Sequence, residues 1–238
     1  EYYQYNLDGK VIEKTDAQGN LTAYSYDSRS NLIEQTDSLG NTTYYEYDNM
    51  NRLVLKKQPS SLNELAVTFY EYDEAGNLTK QVAPNQFSLT SYQSGQTEDM
   101  QGITYSYDEM NRKTKTTSVL GDVLQYLEYD AAGRVVKSVD GLGYAGDGAA
   151  SQGTVYQYDA LGNATLVTDA LGGATSYSYD VLGNITEKQD PMGNTERYTY
   201  NGDSTLSKIE YADGTQVTYE YDLVGNRISM TGQRGYTY

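Results

Sequence analysis

The chain has 238 residues and a formal net charge of −16, and it contains neither His nor Cys. This composition excludes Ser-His-Asp triads, Cys-His pairs, thiolate zinc sites and disulfides within the chain, and the absence of a basic stripe argues against a nucleic-acid partner. No run of 18 apolar residues is present, so we predict no membrane insertion by this chain. The 27 tyrosines, against 2 phenylalanines, indicate that tyrosine is the main packing side chain.

The chain opens with a tyrosine pair that returns at intervals of 21 residues through the first three repeats. The first three pairs are Tyr3/Tyr5, Tyr24/Tyr26 and Tyr45/Tyr47. An Asn or Asp follows the second tyrosine each time, and Asp27 and Asp48 fill that position in the second and third pairs. A fixed period of this length is typical of a repeat protein.

The tyrosine pair continues through the rest of the chain, and Asp and Gly follow most pairs at fixed distances. The later positions are Tyr70, Tyr72, Asp73 and Gly76; Tyr156, Tyr158, Asp159 and Gly162; Tyr177, Tyr179, Asp180 and Gly183; Tyr198 and Tyr200; and Tyr219, Tyr221, Asp222 and Gly225. We interpret these positions, together with those of the first repeats, as structural. We predict no catalytic residue, no cofactor-binding residue and no metal ligand among them.

The segments between the tyrosine pairs have the composition of tight turns. Asp begins a turn of the form Asp-x-x-Gly-Asn, and a weaker turn lies halfway along each repeat, as at Asp169 and Asp190. The fourth turn residue must tolerate a left-handed backbone. Gly is predicted there at positions 9, 19, 40, 76, 133, 143, 162, 172, 183, 193 and 225. Asn51 and Asn111 are the expected substitutes, whereas Ser30 and Ser204 depart from the pattern.

These spacings predict an all-β fold. A half-repeat of 10 or 11 residues has room for a strand of about six residues and a turn. The repeat is then two antiparallel strands, and the chain is a long meander whose tyrosine pairs lie on one face, because side chains alternate along a strand. An open sheet of about twenty strands curls or closes, so we expect the meander to spiral around a space.

Three stretches interrupt the period. We predict a single repeat array over residues 1–238, with loop insertions near 56–63, 85–102 and 141–153. The last of these is rich in Gly, Ala and Ser, which is typical of a mobile loop. Because the chain begins and stops within a repeat, we expect both ends to lie inside a longer protein.

The unit Tyr70-Glu-Tyr72-Asp73-Glu-Ala-Gly76-Asn77-Leu78 resembles the YD repeat of the Rhs (rearrangement hotspot) family. Thr36-Asp-Ser-Leu-Gly40-Asn41 is similar to that family's half-repeats. The family includes bacterial polymorphic toxins, shell components of Tc toxins, wall-associated proteins and teneurins. The resemblance implies a β-sheet that spirals into a hollow shell and, in the bacterial toxins, encloses a C-terminal toxic domain. It further implies a secreted or cell-surface location, with that toxin or effector domain and delivery-machinery proteins as partners.

Three functions are consistent with this pattern. The first is a non-catalytic wall that encapsulates an effector domain of the same polypeptide for secretion and delivery. The second is an extracellular binding module, an adhesin whose tyrosine stripe recognises carbohydrate or a partner protein. The third, and the least supported, is an enzyme that uses paired carboxylates such as Asp27 with Asp48 or Asp159 with Asp180.

A structural interpretation accounts for each of these candidate sites. Every such aspartate stands where a turn needs a side chain that accepts backbone N–H groups. The spacing matches neither the EF-hand loop nor the nine-residue calcium coil. Asp190-Pro191-Met-Gly193 resembles the family's Asp-Pro-x-Gly cleavage motif, but it lies in register as an ordinary half-repeat turn. Cross-strand packing explains the tyrosines better than sugar binding does.

Overall fold

The computed structural model describes residues 1–60 and 64–232 of the chain. Within these residues it contains twenty β-strands, one α-helix and one 3-10 helix. The chain divides into two compact units, Glu1–Leu124 and Gln125–Tyr238. The predicted all-β class is therefore confirmed, whereas the single array with both ends inside a longer protein remains a prediction.

The first unit holds ten strands and both helices. The strands are β1 (Tyr2–Tyr5), β2 (Val11–Thr15), β3 (Leu21–Tyr26), β4 (Leu32–Thr36), β5 (Thr42–Tyr47), β6 (Leu53–Pro59), β7 (Leu65–Tyr72), β8 (Leu78–Val82), β9 (Ile103–Tyr107) and β10 (Lys113–Thr117). The helices, α1 (Leu89–Ser94) and a 3-10 turn (Thr97–Asp99), lie between β8 and β9. Each strand pairs antiparallel with the next one in the sequence.

The second unit repeats this plan without a helix in its described residues. Its strands are β11 (Val123–Tyr129), which starts at the unit boundary, β12 (Val135–Asp140), β13 (Thr154–Tyr158), β14 (Ala164–Thr168), β15 (Ala174–Tyr179), β16 (Ile185–Gln189), β17 (Thr195–Tyr200), β18 (Leu206–Glu210), β19 (Gln216–Tyr221) and β20 (Arg227–Thr231). Sequential neighbours again pair antiparallel. The predicted antiparallel meander is confirmed in both units.

Every regular hairpin that follows a tyrosine pair contains a β-bulge. In the β15–β16 hairpin, Ser178 pairs with Glu187 but Tyr179 pairs with Ile185, so Thr186 is left without a partner in the ladder. The same shift occurs beside Tyr26 and Tyr221. The half-repeat hairpins, such as Gln189 opposite Thr195, run in regular register. Side chains therefore alternate strictly between the two faces of the sheet along the strands that carry the tyrosine pairs. Along the intervening strands the bulge adds one residue, so the side chains on its two sides follow opposite alternation.

The turn geometry follows the predicted positions with a few differences. Gly143 does not have a positive φ, so its assignment to a left-handed turn position was wrong. Gly121 (φ 90°) and Gly214 (φ 81°) are turn positions that the sequence pattern missed, because Ser118 and Tyr211 replace the marker Asp. Ser30 (φ 67°) and Ser204 (φ 65°) depart from the pattern in residue type only, since both adopt the left-handed backbone. The main-chain hydrogen bonds of these turns fix the backbone whichever side chain is present.

The insertion at residues 85–102 was predicted to be a loop, but it contains both helices of the described residues. Ser88 caps α1 by accepting a hydrogen bond from the Ser91 N–H, and Gly95 ends it in the left-handed conformation. Phe87, Tyr92 and Met100 of the insertion pack on Leu55, Phe69 and Val82 of the sheet. These sheet residues alternate with the tyrosine positions, so the insertion covers the face opposite the tyrosines.

The insertion at residues 141–153 also packs on the face opposite the tyrosines of its own unit. Tyr144 contacts Tyr126, with ring centroids 5.6 Å apart, and Lys137 Nζ donates a hydrogen bond to the Gly148 carbonyl at 2.5 Å. Val139, opposite Tyr126 on β12, is fully buried. This segment has no regular secondary structure, but its contacts with Tyr126 and Lys137 hold it against the sheet. The third insertion was predicted near 56–63, but residues 56–59 belong to β6 and pair with β7, so the loop assignment was wrong for them. Residues 61–63 lie outside the described residues.

The turn geometry predicts different effects for two valine substitutions in neighbouring repeats. Gly183 has φ +86° and its nearest neighbour at a Cβ position is 3.7 Å away, so strain rather than lack of space opposes a side chain. Gly183→Val should destabilise its hairpin by about 2 kcal/mol, because a left-handed backbone disfavours L-residues and β-branched ones most. Ala160→Val, at an exposed position of the preceding turn, is the control. Amide exchange of β15 and β16 measures the effect, and equal protection in both variants would contradict the assignment.

Candidate functional site

The first tyrosines of successive pairs form a row across each unit. Burial raises the pKa of Tyr45, with a smaller contribution from Tyr24 one repeat away. Burial likewise raises the pKa of Tyr70, with smaller contributions from Tyr105 and Tyr45. In the second unit the rings of Tyr156 and Tyr158 stack with centroids 6.5 Å apart, which places both members of a pair on one face. The two tyrosines of a pair therefore lie on the same face of the sheet.

The second tyrosine of a pair binds the backbone of the preceding repeat. Its hydroxyl donates to a carbonyl at 2.7–2.9 Å in six repeats: Tyr26 to Val11, Tyr72 to Leu53, Tyr107 to Leu78, Tyr158 to Val135, Tyr179 to Ala164 and Tyr221 to Leu206. Each acceptor residue directly precedes a bulged position. A bulge disrupts the ladder locally, so a carbonyl there requires a donor from elsewhere. We call this hydrogen bond the tyrosine clamp.

The turn aspartates use their carboxylates within their own turns. In the turn that begins at Asp180, Oδ1 accepts the N–H groups of Leu182 and Asn184 at 2.9 Å, and Oδ2 accepts the Asn184 amide at 2.9 Å. Asp27, Asp159 and Asp222 form the same three bonds. The hydrogen bond from the Asn side chain is the largest cause of the lowered pKa of these carboxyl groups.

Arginine replaces the last Asn in three turns and connects successive repeats. Arg52 Nε donates to Asp48 at 2.7 Å in its own turn, and Nη1 donates to the Asp73 carbonyl of the next repeat at 2.7 Å. Its guanidinium also lies 4.9 Å from the ring centroid of Tyr72. Arg134 repeats this arrangement with the Asp159 carbonyl at 3.0 Å. These arginines were not predicted, although their spacing from the turn Asp gives the signal.

The non-glycine residues at left-handed positions have a related role. The Asn31 amide donates to Asn51 at 2.9 Å and the Asn77 amide donates to Asn111 at 2.8 Å, each between successive tyrosine-pair turns. Ser204 accepts from the Asn184 amide at 3.2 Å. A side chain at this position therefore costs some backbone strain but supplies an acceptor that glycine lacks. Turn and clamp contacts together hold one repeat against the next.

The chemistry of these groups is that of a hydrogen-bonded scaffold. The paired-carboxylate candidates at Asp27, Asp48, Asp159 and Asp180 each accept hydrogen bonds inside separate turns. In the part of the chain that the structure describes, no three His, Cys, Asp or Glu side chains gather in an arrangement that would hold a metal ion. Nor do the described residues include a helix long and apolar enough to span a bilayer.

Tyrosine-paired hairpins whose turns are closed by aspartate define a β-repeat protein of the YD type. The family model described as RHS Repeat matches residues 5–42, 26–60 and 158–195. Residues 5–60 and 158–195 therefore carry repeats of the Rhs/YD type. No curated protein sequence matches it.

The solved structures that the chain matches are much larger proteins. The chain is similar to a chain of the Photorhabdus luminescens Tc holotoxin pore at 16% identity and a TM-score of 0.55, over 97% of this chain and 13% of that chain. It also matches a chain of the TcdB2-TccC3-Cdc42 crystal structure at 14% identity, over 97% of this chain and 20% of that one, with a TM-score of 0.28. At such identities the first match shows the fold alone. The chain spans a small part of each matched protein.

The tyrosine clamp predicts a difference between the two tyrosines of one pair. Tyr179→Phe removes the hydroxyl that donates to the Ala164 carbonyl at 2.7 Å and should destabilise the β14–β16 region by about 1 kcal/mol. Tyr177→Phe is the matched control, because the Tyr177 hydroxyl has no hydrogen-bond partner among the described residues. Urea unfolding followed by tyrosine fluorescence measures both variants. Equal midpoints would rule out a stabilising contribution from the clamp.

The lowered carboxyl pKa values predict acid sensitivity of the fold. A carboxyl whose pKa lies below its usual 3.8 when folded stabilises the fold above that pH, and this stabilisation is lost as pH falls through the folded value. Stability should therefore be flat from about pH 7 to 5 and decline below about pH 4. Unfolding midpoints across this range test the prediction. Asp159→Asn should take up fewer protons on unfolding, since an amide does not titrate there.

Proposed function

We propose that this chain is a non-catalytic part of the wall of a hollow β-shell. In this proposal the shell encloses a toxin or effector domain of the same polypeptide before delivery. The observation that supports it best is the tyrosine clamp, because in six repeats it joins a hairpin pair to its predecessor rather than presenting a reactive group. The RHS repeats and the fold shared with a chain of the Tc holotoxin pore support the same function.

The use of polar groups within the repeats supports a wall over an enzyme. The turn carboxylates accept hydrogen bonds from their own turns, and the clamp hydroxyls donate to neighbouring backbone. A general acid or base needs a titratable group that faces a substrate, and these carboxylates face their own turns instead. Under this proposal the protein is secreted or displayed at the bacterial cell surface. Its partners are the enclosed effector domain and proteins of the delivery machinery.

Electron microscopy of the complete natural polypeptide tests the enclosure proposal. We expect a closed hollow particle with density inside it, and proteolysis should spare the effector domain while the particle is intact. An open sheet or a rod with an accessible tyrosine face would refute enclosure. The same preparation then gives the location of the effector domain, because deletion of that domain should remove the internal density and leave the particle intact.

A hollow on the tyrosine face of the second unit favours the binding module as a second candidate. It has a volume of about 350 Å³ and is lined by the Tyr211 ring together with Lys188, Asn194 and Glu196. An aromatic ring beside several hydrogen-bonding groups suits a sugar. A glycan array with the wild-type chain and Tyr211→Ala tests this candidate. Binding that depends on Tyr211 would support it, and identical signals from both proteins would exclude this hollow.

A further inference from the structure

The face opposite the tyrosines carries an apolar groove in the first unit. The groove has a volume of about 590 Å³ and lies between strands β6 and β7 and the helical insertion. Its walls are Leu55, Leu65 and Val67 from the strands and Phe87, Leu89 and Tyr92 from the insertion. This volume and this lining are those of a ligand site in a protein of ordinary composition.

The groove is a local departure from the repeat pattern. Elsewhere on this face the residue between the two tyrosines and its cross-strand partner are mostly polar, as in Ser25 with Glu34. In the groove Glu46 lies opposite Leu55, an apolar partner that Leu166 also provides opposite Gln157 in the second unit. The departure is therefore the second wall of the groove, which the helical insertion supplies.

The groove is electrically neutral at its edge. Glu46 and Lys57 are the charged side chains among its described lining residues, and they form an ion pair with each other. An occupant with a net charge would have to compete with this pair. The groove therefore suits an uncharged apolar occupant.

A second hollow continues the groove and gives it an elongated shape. This hollow, of about 380 Å³, is lined by Tyr44, Glu64 and residues 40–42, and it shares Leu65 with the groove. Tyr44 lies opposite Lys57 in the β5–β6 ladder, so both hollows open on the same face. Leu65 and Leu89, on opposite walls of the groove, remain 47% and 58% exposed. An occupant that covers both leucines and reaches Tyr44 extends beyond a single cavity.

We propose that the groove and the second hollow together bind an extended peptide segment. Its uncharged apolar side chains occupy the groove, and its polar residues continue past Tyr44. This inference deepens the proposed function, since an enclosed effector polypeptide would present such a segment to the wall. The site gives the wall a specific contact with its contents on the face opposite the tyrosines.

Fluorescence anisotropy with a defined peptide tests the site in the 238-residue chain. The probe is a fluorescein-labelled peptide of about ten residues, with alternating Leu and Ser in one half and Ser and Gly in the other. Leu65→Ser and Leu89→Ser should each weaken binding about tenfold, the factor expected when partial burial of one leucine is lost. Leu120→Ser is the matched control, because Leu120 is 81% exposed in a turn of the same unit. An all-serine peptide is the ligand control.

Several outcomes would overturn the proposal. These are no binding of the leucine peptide, equal binding of the all-serine peptide, and equal loss in Leu120→Ser. Sedimentation showing a dimer that Leu65→Ser dissolves would assign the groove to a second copy instead. If a groove variant does not fold, a benzophenone-bearing leucine peptide cross-linked to the wild-type chain decides the question, since adducts must map to residues 44–67 and 84–93.

Failure of this site and failure of enclosure are distinguishable. A closed particle with internal density, in a protein that does not bind the peptide, would leave enclosure standing and end this inference. An open or empty particle whose repeat region binds the peptide would do the reverse.

Discussion

The structure depends on one hydrogen bond, from the second tyrosine of a pair to the carbonyl of the preceding repeat. The β-bulge after a tyrosine pair takes a backbone carbonyl out of the regular ladder, and in six repeats the tyrosine hydroxyl of the next repeat donates to it at 2.7–2.9 Å. Because few side chains are fully buried, a conventional apolar core contributes little to holding the hairpins together. Tyrosine suits this task, since its ring covers the sheet and its hydroxyl ends in a polar contact.

Much of the fold follows from the sequence because the turns are local. An Asp followed at a fixed distance by Gly and Asn specifies a closed turn without reference to the rest of the chain, so the meander was predictable. The exceptions have the same origin. Tyr211 begins a turn closed by main-chain bonds, and Asp213 rather than the first residue accepts the Thr215 N–H, so the marker Asp was missing.

The features that the sequence did not reveal depend on contacts between distant residues. Nothing in the local pattern around Thr186 marks a bulge, since the bulge is defined only by register with the partner strand. The insertion that contains the helix is held on the sheet by apolar packing. Its residues Phe87, Tyr92 and Met100 pack against Leu55 and Phe69 of the strands. The same packing forms the apolar groove. Neither the helix nor the groove was predicted, because the sequence of the insertion is largely polar.

The clamp has a consequence for how such walls change length during evolution. Clamp partners are 15 residues apart in regular repeats, but 23 and 29 apart where insertions intervene, with the same bond length. The clamp hydrogen bond therefore forms whatever the length of the segment between the two strands. A repeat array that gains or loses a whole hairpin pair can keep the same contact between neighbouring repeats, so its length can change without a new kind of junction.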